Sequence, residues 1–335
     1  MLKTTVVGSY PKITEDKSAV NLRQARNRFD LKKISAEELE KAYRDTIKRV
    51  IREQEEAGVD LITDGQIRWD DPVTPFARNI DGMEIGGLLR FFDNNVYYRR
   101  PVIKSKLSFK DYSVVNEFKF AQANSKREVK PVMVGAFTFA QLSRDEFYHD
   151  EEKLVFDLAE ILHREAEKLS EVGAKTIQID EPSLCFHPEK LRLVKESLKI
   201  ITGGIEAKFA LYLYFGSIEK LVPGLFDLPV DIVGVDVVSR AENLELLVEH
   251  WGQKDIGLGC VDARNTKMES ESELLALFEK VTRKIPENRI FINPSCGLEF
   301  LPHAVARDKL KKMAEAARKF GGEKEVWFKT SEESL

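Results

Sequence analysis

The chain is 335 residues long and 32% charged, with a formal net charge of −4 and a pI near 5.9. Lysine and arginine are interleaved with aspartate and glutamate, which leaves no basic footprint for nucleic acid, and no apolar run approaches the ~20 residues that span a bilayer. Met1-Leu2-Lys3 leads straight into a strand-like run and the three cysteines are too unevenly spaced for a disulfide framework, so the sequence predicts a cytoplasmic protein without nucleic-acid or membrane partners.

The first apolar run, residues 4–7, ends in the polar turn Gly8-Ser9-Tyr10-Pro11. Ser35 and Glu38 then form a capping box, and Leu39, Tyr43, Ile47, Val50 and Ile51 carry an apolar helical stripe to Gly58. A short run over 59–63 follows, with the polar tip Asp64-Gly65-Gln66. The stretch 83–126 alternates aromatics with charges (Phe91, Phe92, Tyr97, Tyr98, Arg99, Arg100) and contains Asn94-Asn95 as a hairpin turn. After a run at 132–134, Leu154, Leu158, Ile161, Leu162, Leu169 and Val172 fall at helical spacing and stop at Gly173. The β-branched run 176–180 then ends in two carboxylates and a proline, Asp180-Glu181-Pro182. Runs at 209–212, 232–235, 256–258 and 290–292 complete the set, with a second capping box, Ser270 and Glu273, before the last. Leu310, Met313, Ala314 and Ala317 mark a closing helix, and 331–335 are expected to fray.

Eight helix-turn-strand units predict an α/β fold of the (β/α)8 TIM-barrel type, a single domain over 1–335, with an insertion after strand two, 83–126, that covers the barrel mouth. Parallel strands bring their polar tips to one face: Ser9, Asp64, Gln66, Thr138, Asp180, Glu181, Tyr212, Tyr214, Asp236, Asp262, Arg264, Asn293 and Cys296. Active sites of such barrels lie on that face, so an enzyme is the expectation, although each residue alone could be a rim salt bridge. Several carboxylates with an arginine suit a small zwitterion, a carboxylate taking its ammonium and arginine or backbone N–H groups taking its acid. None of the five histidines has a metal-ligand spacing, and neither a dinucleotide-binding fingerprint nor a P-loop is present. Cys296 with Asp236 are the conceivable rim ligands, and two ligands do not hold a zinc.

The ordered motifs Val7-Gly8-Ser9-Tyr10-Pro11, Asp64-Gly65-Gln66-Ile67-Arg68, Arg100-Pro101, Ile177-Gln178-Ile179-Asp180-Glu181-Pro182 and Asn293-Pro294-Ser295-Cys296-Gly297-Leu298 resemble the cobalamin-independent methionine synthase family over nearly the whole chain. The resemblance implies a methyltransferase of methionine biosynthesis. Family members are zinc-dependent (β/α)8 barrels that move a methyl group to homocysteine from a methyltetrahydrofolate-type donor or, in short archaeal-type forms, from another carrier such as methylcobalamin. It further implies that Ser9 and Asp180 hold the amino and carboxyl groups of homocysteine or methionine. Gln66 stands where the family has a glutamate, which keeps a hydrogen bond and loses a charge, an interaction weaker by about 1 kcal/mol or more. The candidate binding set is Ser9, Gln66, Asp180, Arg100, Asp262 and Arg264; the candidate catalytic set is Asp180, Asp236 and Cys296.

The family's catalytic barrel supplies His-x-Cys after strand five, a glutamate after strand six and a cysteine after strand eight. The matching positions here are Tyr212, Tyr214, Asp236 and Cys296. Zinc delivers homocysteine as its thiolate, whereas an unassisted thiol with pKa near 8.5 stays mostly protonated at pH 7. Tyr214-Phe215-Gly216, Asp262-Ala263-Arg264-Asn265 and Leu301-Pro302 are instead similar to the zinc-less amino-terminal barrel of long family members. The expectation is therefore a zinc-less component of a methionine synthase that works with a zinc-bearing paralogous barrel. Two alternatives stay open: a self-sufficient homocysteine methyltransferase activating the thiol through Cys296 and Asp236, and a non-catalytic amino-acid-binding or regulatory barrel.

Overall fold

The structure is a computed structural model that describes residues 1–15, 20–92 and 94–332. Its strands are β1 (Lys3–Thr4), β2 (Leu61–Ile62), β3 (Ile80–Arg90), β4 (Tyr97–Phe109), β5 (Glu128–Val129), β6 (Val132–Val134), β7 (Arg144–Asp145), β8 (Thr176–Asp180), β9 (Lys208–Leu213), β10 (Ile232–Asp236), β11 (Asp255–Val261) and β12 (Ile290–Pro294). Seven of them form one parallel sheet in the order β1-β12-β11-β10-β9-β8-β6. A separate parallel pair joins β2 to β5, and an isolated bridge joins Thr5 to Leu61.

Each of the eight expected runs contains or overlaps a parallel strand, but the first two ladders are only two residues long. Side chains stand in for the missing ladder bonds: Thr5 Oγ1 donates to the Leu61 carbonyl and Thr63 Oγ1 to that of Gly8, each at 2.7 Å. The third run is β6 in full, and a further short strand, β5, precedes it. β5 and β6 are separated by Lys130-Pro131, and a proline has no N–H to give a ladder.

Helices alternate with these strands. The helix Ala36–Ala57 starts in the expected capping box of Ser35 and Glu38 and ends at Gly58 with φ 87°, a left-handed conformation that glycine adopts freely. Glu151–Glu171 leads into β8, and Glu271–Thr282, capped by Ser270 and Glu273, leads toward β12. The closing helix runs further than its apolar stripe, over His303–Glu332, so Ser331 is helical rather than frayed; 333–335 lie outside the described residues. No helix among the described residues is long and apolar enough to cross a membrane.

The insertion is an antiparallel hairpin of β3 and β4, joined along β4 by β7 in parallel. Asn94-Asn95 lie in its connecting tip. The helix Val115–Ala123 then returns the chain to β5, and Glu165 ties that return down by accepting the Ser113 and Val114 N–H groups at 2.8 Å each.

Candidate active site at the strand ends

Side chains alternate along a strand. In β8, Ile177 and Ile179 are wholly buried, while Gln178 and Asp180 share the opposite face. Gln178 links three elements through its amide: Nε2 donates to the Val7 carbonyl and, at 2.7 Å, to Asp180 Oδ1, while Oε1 accepts from Lys130 Nζ. That ammonium also lies 4.6 Å from the centre of the Tyr212 ring. Tyr212, expected at the rim, is thus a core group, only 3% exposed, and its ring occupies the space that a Cβ at Gly234 would need. Burial pushes the Asp180 carboxyl up to about 7 against its hydrogen bond from Gln178 and the charge of Lys130. Burial likewise pushes Lys130, 1% exposed, down to about 7, with Asp180 opposing. Tyr214, just beyond the end of β9, donates its hydroxyl to Asp180 Oδ2 at 3.2 Å.

The loops after β1 and β12 are joined. Leu298 N–H donates to the Ser9 carbonyl at 2.9 Å, and Ser9 Oγ donates to Glu299 Oε2. Gly297 makes this approach possible, since a Cβ there would collide with both Ser9 Oγ and the Glu299 carboxylate. Burial pushes Glu299 up to about 7; Lys12 lowers it and Asp180 raises it further. Sequence reasoning missed Glu299. Gln66 has a left-handed φ of 52° and packs its amide against Gly8, with its N–H bound to Asp64 Oδ1 at 3.0 Å.

Asp236, a candidate catalytic group on sequence grounds, has its oxygens engaged by backbone donors: Oδ2 accepts from Phe215 N at 3.1 Å, and Oδ1 from Val238 N and Ser239 N at 2.9 Å each. It organises the loops after β9 and β10. Cys296 is buried, and burial, Glu299 and Asp236 all push its thiol well above the ordinary range, so its reactive thiolate form is disfavoured. The Tyr212 and Tyr214 phenols are both pushed up, mainly by burial. Phenols held neutral, an aspartate filled by backbone N–H groups and a protonated thiol do not fit a zinc ion, which wants three or four His, Cys or carboxylate donors. Among the described residues no three His, Cys, Asp or Glu side chains converge as a metal site. His303 is buried but engaged elsewhere, 2.8 Å from Glu53 and 3.2 Å from Arg49.

Arg264 does not reach down to Asp180. Its guanidinium bonds Asn94 Oδ1 at 3.1 Å and Ser239 Oγ at 2.7 Å, and lies 5.1 Å from the Phe215 ring centre. It therefore holds the hairpin tip, where Phe91 and Phe92 meet Phe215 at 6.2 and 5.8 Å and Phe92 stacks on Phe186 at 5.5 Å. Asp262 accepts its own turn's Arg264 N–H at 2.9 Å. Arg100, on β4, donates to the Ser143 carbonyl at 3.2 Å and keeps a buried Nε without a partner. Two cavities of about 500 and 700 Å³ open elsewhere, lined by strand-start residues including Lys3 and Lys208. They lie at the amino ends of the strands, away from the Ser9–Asp180–Tyr214 cluster.

The sheet order and the helices between its strands define a parallel α/β protein with a polar cluster at the strand ends. The family model described as cobalamin-independent synthase, catalytic domain, matches residues 2–319. The chain belongs to the cobalamin-independent methionine synthase family. It is 33% identical to the methionine synthase of Saccharolobus solfataricus over 320 residues, covering 95% of this chain and 94% of that one. The methionine synthase of Sulfurisphaera tokodaii is likewise 33% identical over 319 residues, 95% of this chain and 92% of that one. In fold the chain is similar to a B12-independent methionine synthase from Shewanella sp. W3-18-1 in complex with selenomethionine, with a TM-score of 0.83 at 22% identity over 97% of this chain and 99% of that one. A putative vitamin-B12 independent methionine synthase from Listeria monocytogenes gives a TM-score of 0.73 at 19% identity, over 94% and 96%.

Proposed function

We propose that this protein is a cytoplasmic methionine synthase component that binds homocysteine at the strand ends and takes part in its methylation together with a zinc-bearing paralogous chain. The observation that carries this reading is Asp180, a strand-end carboxylate whose direct hydrogen-bond partners Gln178 and Tyr214 are neutral donors, the nearby Lys130 being bonded to Gln178 instead, so that a substrate ammonium can supply its direct positive partner. Selenomethionine in the Shewanella relative supports an amino-acid pocket in this fold. The bridge Thr5–Leu61 and the β2·β5 pair connect the two edges of the seven-stranded sheet, and in this reading they complete a single eight-stranded barrel. The hairpin tip, packed on Phe215, covers its mouth.

In the family a bound zinc supplies the thiolate of homocysteine. In this chain the residues bind and orient: Asp180 meets the amino group, Tyr214 and Gln178 fix that carboxylate, and the hairpin excludes water. The methyl donor is of the methyltetrahydrofolate type or a methylcorrinoid. Activation through Cys296 and Asp236 alone is disfavoured, because the thiol is pushed toward its neutral form and the carboxylate already serves three backbone N–H groups. A methyl-transfer assay of the chain alone and mixed with a zinc-bearing paralogue, across these donors, tests the reading. Activity only in the mixture is expected; full turnover by the chain alone overturns the partner role.

A further inference from the structure

The geometry points to Glu299 as a second carboxylate for the ammonium group of the amino-acid substrate, shared with Asp180 and supplying the charge that Gln66 lacks. This rests on the amino-acid pocket proposed above. Ser9 Oγ donates to Glu299 Oε2, and the Leu298–Ser9 backbone bond at 2.9 Å together with the missing Cβ of Gly297 fixes the carboxylate in place. The Tyr214 phenol bonds Asp180 Oδ2 at 3.2 Å, and burial together with the fields of Asp180, Glu299 and Cys296 raises it. Each acid takes a hydrogen bond from a hydroxyl at the strand ends, Asp180 from Tyr214 and Glu299 from Ser9, and the field of Asp180 raises Glu299.

A third acceptor is independent of that pair. Asn293 is 1% exposed, its Nδ2 is bound to the Pro294 carbonyl at 2.7 Å, and its Oδ1 is buried without a partner. Phe291, two residues earlier, lines the 700 Å³ cavity at the amino ends of the strands with Leu61, Thr176 and Ile232. The two-residue period of a strand therefore turns Asn293 toward the same interior, at the other end of β12. A buried oxygen with no donor costs stability unless something supplies one. An ammonium carries three N–H donors and no acceptor, and two carboxylates with one amide oxygen are the complementary set. The nearby cation Lys12 lowers Glu299 through its field but donates its hydrogen bond to the Trp69 carbonyl. The site thus selects an α-amino acid over the same chain without its amine.

Calorimetry with L-methionine and with its des-amino analogue 4-(methylthio)butanoate, on the full chain and on Glu299→Gln, tests the assignment. The unaltered protein is expected to prefer methionine. Glu299→Gln should lose about tenfold or more on methionine, the size of one charged hydrogen bond, and less than about twofold on the analogue. Glu299→Asp, which keeps the charge on a shorter arm, should fall between the two and guards against a folding failure, which thermal melting of both variants detects. Equal losses on both ligands, or unchanged methionine affinity in folded Glu299→Gln, overturn the role of Glu299 while leaving the pocket standing. An unaltered protein that binds neither ligand overturns the pocket itself and this assignment with it.

Discussion

Asp180 and Lys130 are both displaced to about 7, from opposite sides of the pH scale, and their effects on stability have opposite signs. A carboxyl raised from 3.8 to about 7 on folding contributes full stability below about 4 and loses it progressively as pH rises through 7. A lysine lowered from 10.5 to about 7 costs stability fully below about 7, and that cost fades as pH rises toward 10.5. Asp180→Asn removes the first effect and, by removing the charge that opposes the lowering of Lys130, deepens the second rather than abolishing it. Its melting temperature relative to the unaltered protein should rise between pH 4 and 7 and level off above; a difference that is flat over that range would refute the raised carboxyl. The same variant should weaken methionine binding by about tenfold or more, because the substrate ammonium then meets a neutral amide in place of a carboxylate. The placement of Ser9 and Asp180 beyond or at strand ends was legible because each follows or ends an apolar run in a polar tip. Glu299 was not: it lies in the loop beyond β12, and nothing near it in sequence separates it from a surface acid, since its partner Ser9 is 290 residues away. Lys130 was hidden for a related reason, as the break at Pro131 conceals the strand face on which it points inward. The loop-organising bonds of Asp236 could not be read beforehand, because a strand-end aspartate that binds loop N–H groups looks the same in sequence as one that binds a ligand.

The hairpin is the element that sequence placed best and described least. Its alternation and its Asn94-Asn95 tip were readable, yet its anchor joins loops far apart in the chain: Phe91 and Phe92 on Phe215, and Arg264 on Asn94. Arg264→Ala should release the tip without unfolding the parallel sheet, at a local cost of about 1–2 kcal/mol for two hydrogen bonds and a cation–π interaction. Hydrogen exchange over 91–100 should quicken in that variant, and ligand should slow it in the unaltered protein. Quickening spread evenly over the β8–β12 strands would contradict a local latch. A second element-level test uses the joined loops after β1 and β12. Gly297→Ala inserts a methyl where Ser9 Oγ and the Glu299 carboxylate meet, so at least one must move. Methionine affinity should drop while the melting temperature changes little, because the collision is with side chains beyond the strand ends rather than with the core. Loss of folding instead would mean that the two loops are needed to hold the sheet together.

On the scale of the whole molecule, the parallel α/β order follows from repetition, since eight apolar runs separated by helical stripes have few other ways to be buried. The chemistry of zinc does not follow from repetition, and there the residues of this chain differ from the ligand set that the family resemblance implies. A tyrosine phenol, near 10 even in water and higher when buried as Tyr212 and Tyr214 are, is a poor substitute for imidazole or thiolate. The purified chain should therefore hold well under one zinc per molecule after dialysis and should not methylate homocysteine by itself. Tyr212→His with Tyr214→Cys writes back the family pattern, but the geometry limits what it can achieve: the Tyr212 ring lies within the core against Lys130, and its removal leaves a cavity below the strand ends. The double variant should gain zinc only in part and should lose several kcal/mol of stability, of the order expected for buried aromatic truncation. Metal analysis and thermal melting of both proteins measure the two effects. Stoichiometric zinc in the unaltered chain, lost on Cys296→Ser, would mean that the strand-end loops rearrange around the metal and that the self-sufficient enzyme is the correct reading.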